Sequence, residues 1–352
     1  MRVAVVGVGL IGGSIGIAAR ERLGASVAGW DPDPGALSAA RERGAIDAAA
    51  PSLAAAVEGA EAAFVAAPVG ALPGVVREVL AAAPSSCVVS DVGSTKRAVA
   101  VDDERFCGGH PLAGAETAGV QHARGDLFEG AVWYLTPTER TSGILLERLH
   151  RAIAALGARP VAIDPGTHDR LMAGVSHLPH VLANVLVAQA AAALGGESIP
   201  PTGPSFRDAT RVAGANSAIW TDIYLANRDA LIERIEDTVR RLSDVAESLR
   251  AGDAAGISGW NEAAAADRRA LLEAGLEGGA VHELRASVPN RPGVIAEIAL
   301  AFGRAGVNIV DMALSPSADF RQGRVSLWVS GDEHAARAEE LIAGLGFPVA
   351  RG

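Results

Sequence analysis

His110 lies in Cys107-Gly108-Gly109-His110-Pro111-Leu112-Ala113-Gly114-Ala115-Glu116, between glycines and a proline. Imidazole exchanges protons near neutral pH, its unperturbed pKa being roughly 6.5. Glycine and proline flanks predict a loop. A loop histidine can present its ring to a ligand, and an idle, solvated one has the same flanks. Upstream, Asp91-Val92-Gly93-Ser94-Thr95-Lys96 follows a predicted strand. Loops after the strands of an open α/β sheet line the ligand crevice. Ser94 is thus a candidate for orienting His110 or a substrate, with a hydroxyl-rich turn as the plainer reading.

Downstream, Ser176-His177-Leu178-Pro179-His180 falls in a helical stretch. His177 and His180 share a face if the helix runs past Pro179, which removes one hydrogen bond and kinks it. Metal ligation has little support there, because no cysteine or third histidine has matching spacing. A structural hydrogen bond and a substrate contact both remain open. Phe206-Arg207-Asp208-Ala209-Thr210-Arg211 puts Arg207 and Arg211 four apart. On a helix they repel, and an acidic ligand held by bidentate guanidinium bonds would reverse the sign. A solvated face with Asp208 paired locally is the equal alternative. Trp220 walls an apolar pocket or sits in the core.

The elements that must position these groups begin with Gly7-Val8-Gly9-Leu10-Ile11-Gly12, a G-x-G-x-x-G between a predicted strand and helix. The glycines allow the tight turn, the approach of a pyrophosphate and close helix packing, and the helix N-terminus faces the phosphates. Asp31 closes the second strand, where a carboxylate accepts ribose hydroxyls and disfavours a 2′-phosphate. That predicts NAD rather than NADP. Pro68, just past the predicted strand Ala62 to Ala67, is grouped with Gly7, Gly9, Leu10, Ile11, Gly12 and Asp31 as cofactor-binding.

Strands at Val3–Val6, Ser26–Trp30, Ala62–Ala67 and Cys87–Ser90 alternate with helices, which predicts a parallel, doubly wound α/β Rossmann sheet. From about Thr167 helical patterns dominate, the clearest starting at a capping Asn216 and carrying Ile219, Ile223, Leu231, Ile235, Leu242 and Leu249. The last 70 or so residues read strand, helix, strand, strand, helix, strand: a ferredoxin-like βαββαβ unit. The expected domains are 1–165, an all-α domain over 166–276, and 281–352.

Composition sets outer bounds. The chain has 352 residues, 49% of them hydrophobic, and a formal charge of −10. Such a charge argues against nucleic acid as a partner, and the terminal unit lacks the aromatic platform of RNA-binding domains. Cys87 and Cys107 read as free thiols of a cytoplasmic protein. Glycines interrupt the apolar N-terminal run, so neither a signal peptide nor a membrane span is expected.

Together these motifs resemble, over residues 1 to about 275, the prephenate/arogenate dehydrogenase family of tyrosine biosynthesis. The tail, with Val288-Pro289-Asn290-Arg291-Pro292-Gly293 and Gly306-Val307-Asn308-Ile309, resembles an ACT domain. The resemblance implies oxidative decarboxylation of prephenate: NAD takes a hydride from C4, a histidine removes the hydroxyl proton, and carbon dioxide leaves as the ring becomes aromatic, with no metal. It assigns acid–base work to His110 with Ser94 hydrogen-bonding nearby. It assigns the substrate carboxylates to Arg211, helped by Arg207, His180 and Trp220, and a polar gate to Glu116. Asn290, Arg291, Pro292, Gly293, Asn308 and Ile309 would hold an amino acid effector, tyrosine foremost, and the helices would form a homodimer. One departure is Thr117, where members often carry lysine; it leaves prephenate and arogenate both open as substrates. A β-hydroxyacid dehydrogenase, which needs a lysine in its helical domain, is disfavoured because residues 166–276 contain none.

Overall fold

The computed structural model describes all residues except 100, 115–116, 194–202, 275–279, 290, 292–293, 308 and 317–321. It divides into two compact units, Met1–Val239 and Arg240–Gly352.

In the first unit the run Val3-Ala4-Val5-Val6 forms β1 (Arg2–Val6), apolar on both faces as a central parallel strand requires. It is followed by α1 (Leu10–Leu23), β2 (Ser26–Trp30), α2 (Pro34–Glu42), the short β3 (Ala48–Ala49), α3 (Leu53–Val57), β4 (Ala62–Val65), α4 (Leu72–Ala82) and β5 (Val88–Asp91). The sheet order is β3-β2-β1-β4-β5, all parallel. Strand order reverses between β1 and β4, so a crevice opens at the carboxyl ends of these strands. Two apolar layers cover the faces, one containing Ile15, Val27 and Trp133, the other Leu72, Val76 and Val79.

Beyond β5 the chain builds three strands absent from the sequence expectation: β6 (Gly108–Pro111), β7 (Val132–Thr136) and β8 (Arg159–Ala162), with α5 (Gly143–Ala155) between the last two. β6 and β7 are antiparallel, β7 and β8 parallel. Val89 ties this sheet to the first, donating to Arg105 O at 2.9 Å and accepting from Cys107 N at 3.0 Å. His110 is therefore not on a loop. It is a strand residue opposite Tyr134. The glycines before it serve packing, not turning: a Cβ on Gly108 would lie 2.4 Å from Thr136 Oγ1, and one on Gly109 2.6 Å from the Asp91 carbonyl.

The helical part starts with α6 (Pro165–Met172), capped by Asp164, whose carboxylate accepts from Thr167 N at 2.9 Å. A π-helical turn over Ala173–His177 leads into α7 (Leu178–Ala193). Pro179 explains the wide turn: without an N–H it cannot bond the carbonyl four residues back, and its ring would strike it. Then come α8 (Pro204–Thr210), α9 (Ser217–Ala226), α10 (Arg228–Ala251) and α11 (Ala254–Ala274). Asn216 caps α9 as expected, accepting from Ala218 N and Ile219 N. The single long helix expected from there is two, broken at Asn227 (φ −114°, ψ 27°). The stretch Pro165–Ala193 is long and apolar enough by composition to cross a membrane. It also carries His168, Asp169, His177 and His180, all buried.

In the second unit β9 (Val281–Pro289), α12 (Val294–Arg304), β10 (Ile309–Pro316), β11 (Gln322–Ser330), α13 (Asp332–Gly344) and β12 (Val349–Arg351) follow the expected order. The sheet runs β10-β11-β9-β12, antiparallel throughout. Leu284, Ile298, Phe302, Leu327 and Ile342 form its core.

Candidate functional site

The glycine loop sits at the carboxyl end of β1. Gly7 has φ +93°, and a Cβ there would lie 2.5 Å from the Ala66 carbonyl. Gly12 packs so closely that a Cβ would lie 1.9 Å from the Gly7 carbonyl, whereas a Cβ on Gly9 would meet nothing within 4 Å. Gly9 is therefore the open approach, and the amides of Leu10, Ile11 and Gly12 precede the first helical bond, Gly13 N to Gly9 O at 2.8 Å. Unbonded amides at a helix start suit a pyrophosphate. The Leu10 side chain is buried in the core, so its contribution to such a site is its backbone. Asp31 accepts from Val8 N and Asp33 N, both at 2.9 Å, and a carboxylate retains acceptor capacity beyond two bonds. Pro68 is exposed at the end of β4. Next to it, Gly70 N donates to Asp222 on α9 at 3.3 Å.

One edge along, Lys96 and Asp91 form a buried ion pair, at 1% and 0% side-chain exposure. The Lys96 ammonium also donates to the Gly109 carbonyl. Asp91 in turn accepts from Gly93 N at 2.9 Å and Gly109 N at 3.2 Å. These bonds hold the residue before His110 on both its polar groups. Burial pulls the Lys96 ammonium below its ordinary value, against the pull of Asp91.

His110 Nδ1 lies 2.9 Å from His168 Nε2. His168 Nδ1 lies 2.8 Å from Asp169 Oδ1. Asp169 accepts the backbone amides of Lys96 at 2.8 Å and Arg97 at 2.9 Å. Burial, then the Lys96 charge, then His168 and His177 push the His110 imidazole well below its ordinary value, so it is neutral near pH 7. His168 and Asp169 were not singled out from sequence. Their adjacency just after the cap Asp164 was the signal to be had.

Asn227 donates to the Asp169 carbonyl at 2.8 Å and faces His177 Nδ1 at 3.1 Å. A carbonyl only accepts, so the amide nitrogen faces both groups, and His177 Nε2 carries the proton. That Nε2 is buried without a protein partner. His180 stacks on Trp220, centroids 3.7 Å apart at 9°, and bonds Tyr224 Oη. Burial lowers its pKa while the Val212 backbone opposes. The structure thus gathers His110, His168 and His177 around Asp169, with His180 and Trp220 beside them: Trp220 meets His177 edge-on at 6.2 Å.

Ser94 Oγ is buried without a partner and makes no bond to His110. Arg207, on α8, and Arg211, its C-cap, are exposed; α8 packs on α7, and Val212 follows Arg211. No direct bond joins either arginine to His110. Glu116 lies outside the described residues, as do Asn290, Pro292, Gly293 and Asn308. Of the effector candidates described, Arg291 pairs with Glu297 at 2.8 Å and Ile309 opens β10. Both cysteines are free and buried, and burial pushes Cys87 up to about 11 and Cys107 to about 12.

A parallel sheet with an open glycine loop, a carboxylate just past its second strand and a histidine at the adjoining edge define the class: a dinucleotide-dependent dehydrogenase with a helical second part. The chain belongs to the prephenate dehydrogenase family. Family models match for the prephenate dehydrogenase nucleotide-binding domain over residues 15–162, its dimerization domain over 164–260, and an ACT domain over 282–328. The prephenate dehydrogenase of Bacillus subtilis is 30% identical, covering 97% of this chain and 95% of its own. Among solved structures, prephenate dehydrogenase from A. aeolicus, in complex with hydroxyphenyl propionate and NAD+, matches with TM-score 0.71 and 28% identity, over 77% of this chain and 98% of that one. Synechocystis arogenate dehydrogenase matches with TM-score 0.66 and 28% identity, over 76% and 99%.

Two outcomes follow for stability. Lys96→Met leaves the Asp91 charge buried alone and should cost about 3–5 kcal/mol in urea unfolding, with Asp91→Asn added to it restoring part. His177 has its pKa lowered from 6.5 to about 4, chiefly by burial. Between those pH values the unfolded chain binds a proton that the folded chain refuses. The contribution of His177 to stability is therefore full above pH 6.5 and is lost as pH drops towards 4. Urea midpoints across that range should show the fall, and His177→Asn should reduce it.

Proposed function

We propose that the chain is an NAD-dependent prephenate dehydrogenase of tyrosine biosynthesis, acting in the cytoplasm as a homodimer, with His110 as the base. The observation that carries this reading is the place of His110 on β6, its preceding residue held by Lys96 and Asp91, beside the carboxyl edge of the sheet where the glycine loop opens. NAD, when bound, supplies the acceptor for the hydride that leaves C4 of the ring. Gly9, the amides of Leu10 to Gly12, Asp31 and Pro68 hold it there. His110 Nε2 takes the proton of the C4 hydroxyl as the hydride departs. The electron pair of the bond to the departing carboxylate enters the ring, carbon dioxide leaves, and His110 returns its proton to the ring oxygen, now phenolic. Proton, hydride and carboxylate then balance.

Ser94 Oγ, buried and unpaired within the protein, is suited to a ring hydroxyl. His180 and Trp220 wall the ring side, and Arg207 and Arg211 meet the carboxylates, with Glu116 gating the site. Exposed apolar side chains along α10 and α11, among them Leu242, Leu249 and Trp260, supply a dimer face. The domains we assign are 1–165, 166–276 and 281–352. Arogenate is the second reading for the substrate: the Synechocystis neighbour is an arogenate dehydrogenase, and Thr117 carries no charge to select the side-chain end. In the terminal unit we assign Arg291 and Ile309, together with Asn290, Pro292, Gly293 and Asn308, to an amino acid effector, tyrosine.

The test is NADH formation with prephenate and with arogenate. Turnover of prephenate with the higher kcat/KM is expected. His110→Asn should lower kcat by about 10²–10⁴-fold with NAD affinity little changed, and near-normal turnover would remove His110 from the mechanism. Tyrosine should inhibit the full chain and not a chain truncated after Glu277; equal sensitivity of both would place the sensor elsewhere.

A further inference from the structure

We propose that His168 and Asp169 are positioning residues for His110, fixing which ring nitrogen carries its proton. The inference rests on the reading of His110 as the base. The argument is one of donors and acceptors. Both oxygens of Asp169 accept backbone amides, from Lys96 at 2.8 Å and Arg97 at 2.9 Å. A carboxylate so placed has only acceptor capacity to offer His168 Nδ1, at 2.8 Å. In a neutral His168 the Nδ1 proton therefore points at Asp169, and Nε2 is left with a lone pair. That lone pair faces His110 Nδ1 at 2.9 Å, so Nδ1 of His110 must be the protonated nitrogen. The consequence is at the other end of the ring: His110 Nε2 holds the lone pair that a base needs. A neutral histidine without this partner would divide itself between two tautomers, only one of them useful.

The chain of bonds is well enclosed. His168 is 0% exposed and Asp169 1%, so water does not compete for either contact. Tyr134, opposite His110 across the β6–β7 ladder, packs edge-on against the His168 ring at 5.7 Å. His110 and His168 themselves meet at 72°, centroids 5.1 Å apart. The charged and titratable groups around His110 are Lys96, paired with Asp91, then His168, His177 and, through His168, Asp169. The Lys96 ammonium opposes a proton on His110. Asp169 lies at the far end of the hydrogen-bond chain, and there it favours the imidazolium that forms during turnover.

The alternative is structural: Asp169 pins α6 to the loop after β5, and His168 merely fills space. Steady-state kinetics on the full chain separate the two. His168→Leu removes the acceptor and should lower kcat about 10²–10³-fold, with KM for substrate and the Kd for NAD changing less than about threefold. His168→Gln offers a carbonyl oxygen to His110 Nδ1 and should recover at least about tenfold of that loss. A kcat for His168→Leu within about threefold of the parent overturns the proposal, as do equal losses in both variants. Nitrogen-15 NMR of histidine-labelled unmutated protein, with His110→Asn for assignment, decides the matter even if a variant fails to fold. A protonated Nδ1 and bare Nε2 on His110 are expected, and the opposite tautomer overturns the proposal. Near-normal turnover by His110→Asn would instead remove the base reading itself. An inactive His110→Asn beside an unimpaired His168→Leu would remove only the positioning role.

Discussion

Lys96 and Asp91 meet where almost no water reaches, and the arrangement of the site is referred to that pair. A buried charge needs a close opposite charge and hydrogen bonds for its remaining capacity. Here the remaining capacity is spent on backbone: the Lys96 ammonium on the Gly109 carbonyl, Asp91 on the amides of Gly93 and Gly109. The cost of exposing either charge unpaired therefore becomes a restraint on the loop after β5 and on the start of β6. His110 follows directly from Gly109. Its backbone is set through main chain, and its ring is engaged at Nδ1 by His168, which leaves Nε2 for chemistry. The choice of lysine fits the space. Its ammonium is a compact point charge with three donors, whereas a guanidinium is a wide planar fork. No other lysine occurs in the sequence; arginine supplies every other permanently charged basic side chain.

The helical region reaches the same loop from the other side. Asp169 grips the amides of Lys96 and Arg97, and Asn227 grips the Asp169 carbonyl. Two local departures from regular helix make this feasible. The π-turn before Pro179 changes the rotation of the chain between Asp169 and His177, and the break at Asn227 frees an amide side chain to bond both. Irregular backbone is thus concentrated where polar groups converge, while the surrounding helices keep their apolar packing.

Much of this was legible in the residues. The glycine loop, the alternation of strands and helices, the capping Asn216 and the terminal βαββαβ order all follow from short-range rules, and each is present. Local signals failed where distant partners decide. Gly108 and Gly109 read as loop formers, yet they are small because Thr136 and Asp91 press against them. β6, β7 and β8 carried no clean alternation, and each pairs with a strand more than twenty residues away. His168 and Asp169 looked like ordinary helix residues until the fold placed them behind His110. Lys96, likewise, read as the end of a turn, because nothing nearby in sequence announces that its partners are five and thirteen residues away.

The solitary lysine has a practical corollary. Reagents that acylate side-chain amines have one target in this chain, and in the folded state it is buried and bonded to Asp91. Covalent labelling of that amine therefore reads out, at a single position and without mutation, how often the loop after β5 comes apart. Mass added stably at Lys96 over time would be a clock for the opening of the site, since no other side chain of the sequence carries an alkyl amine.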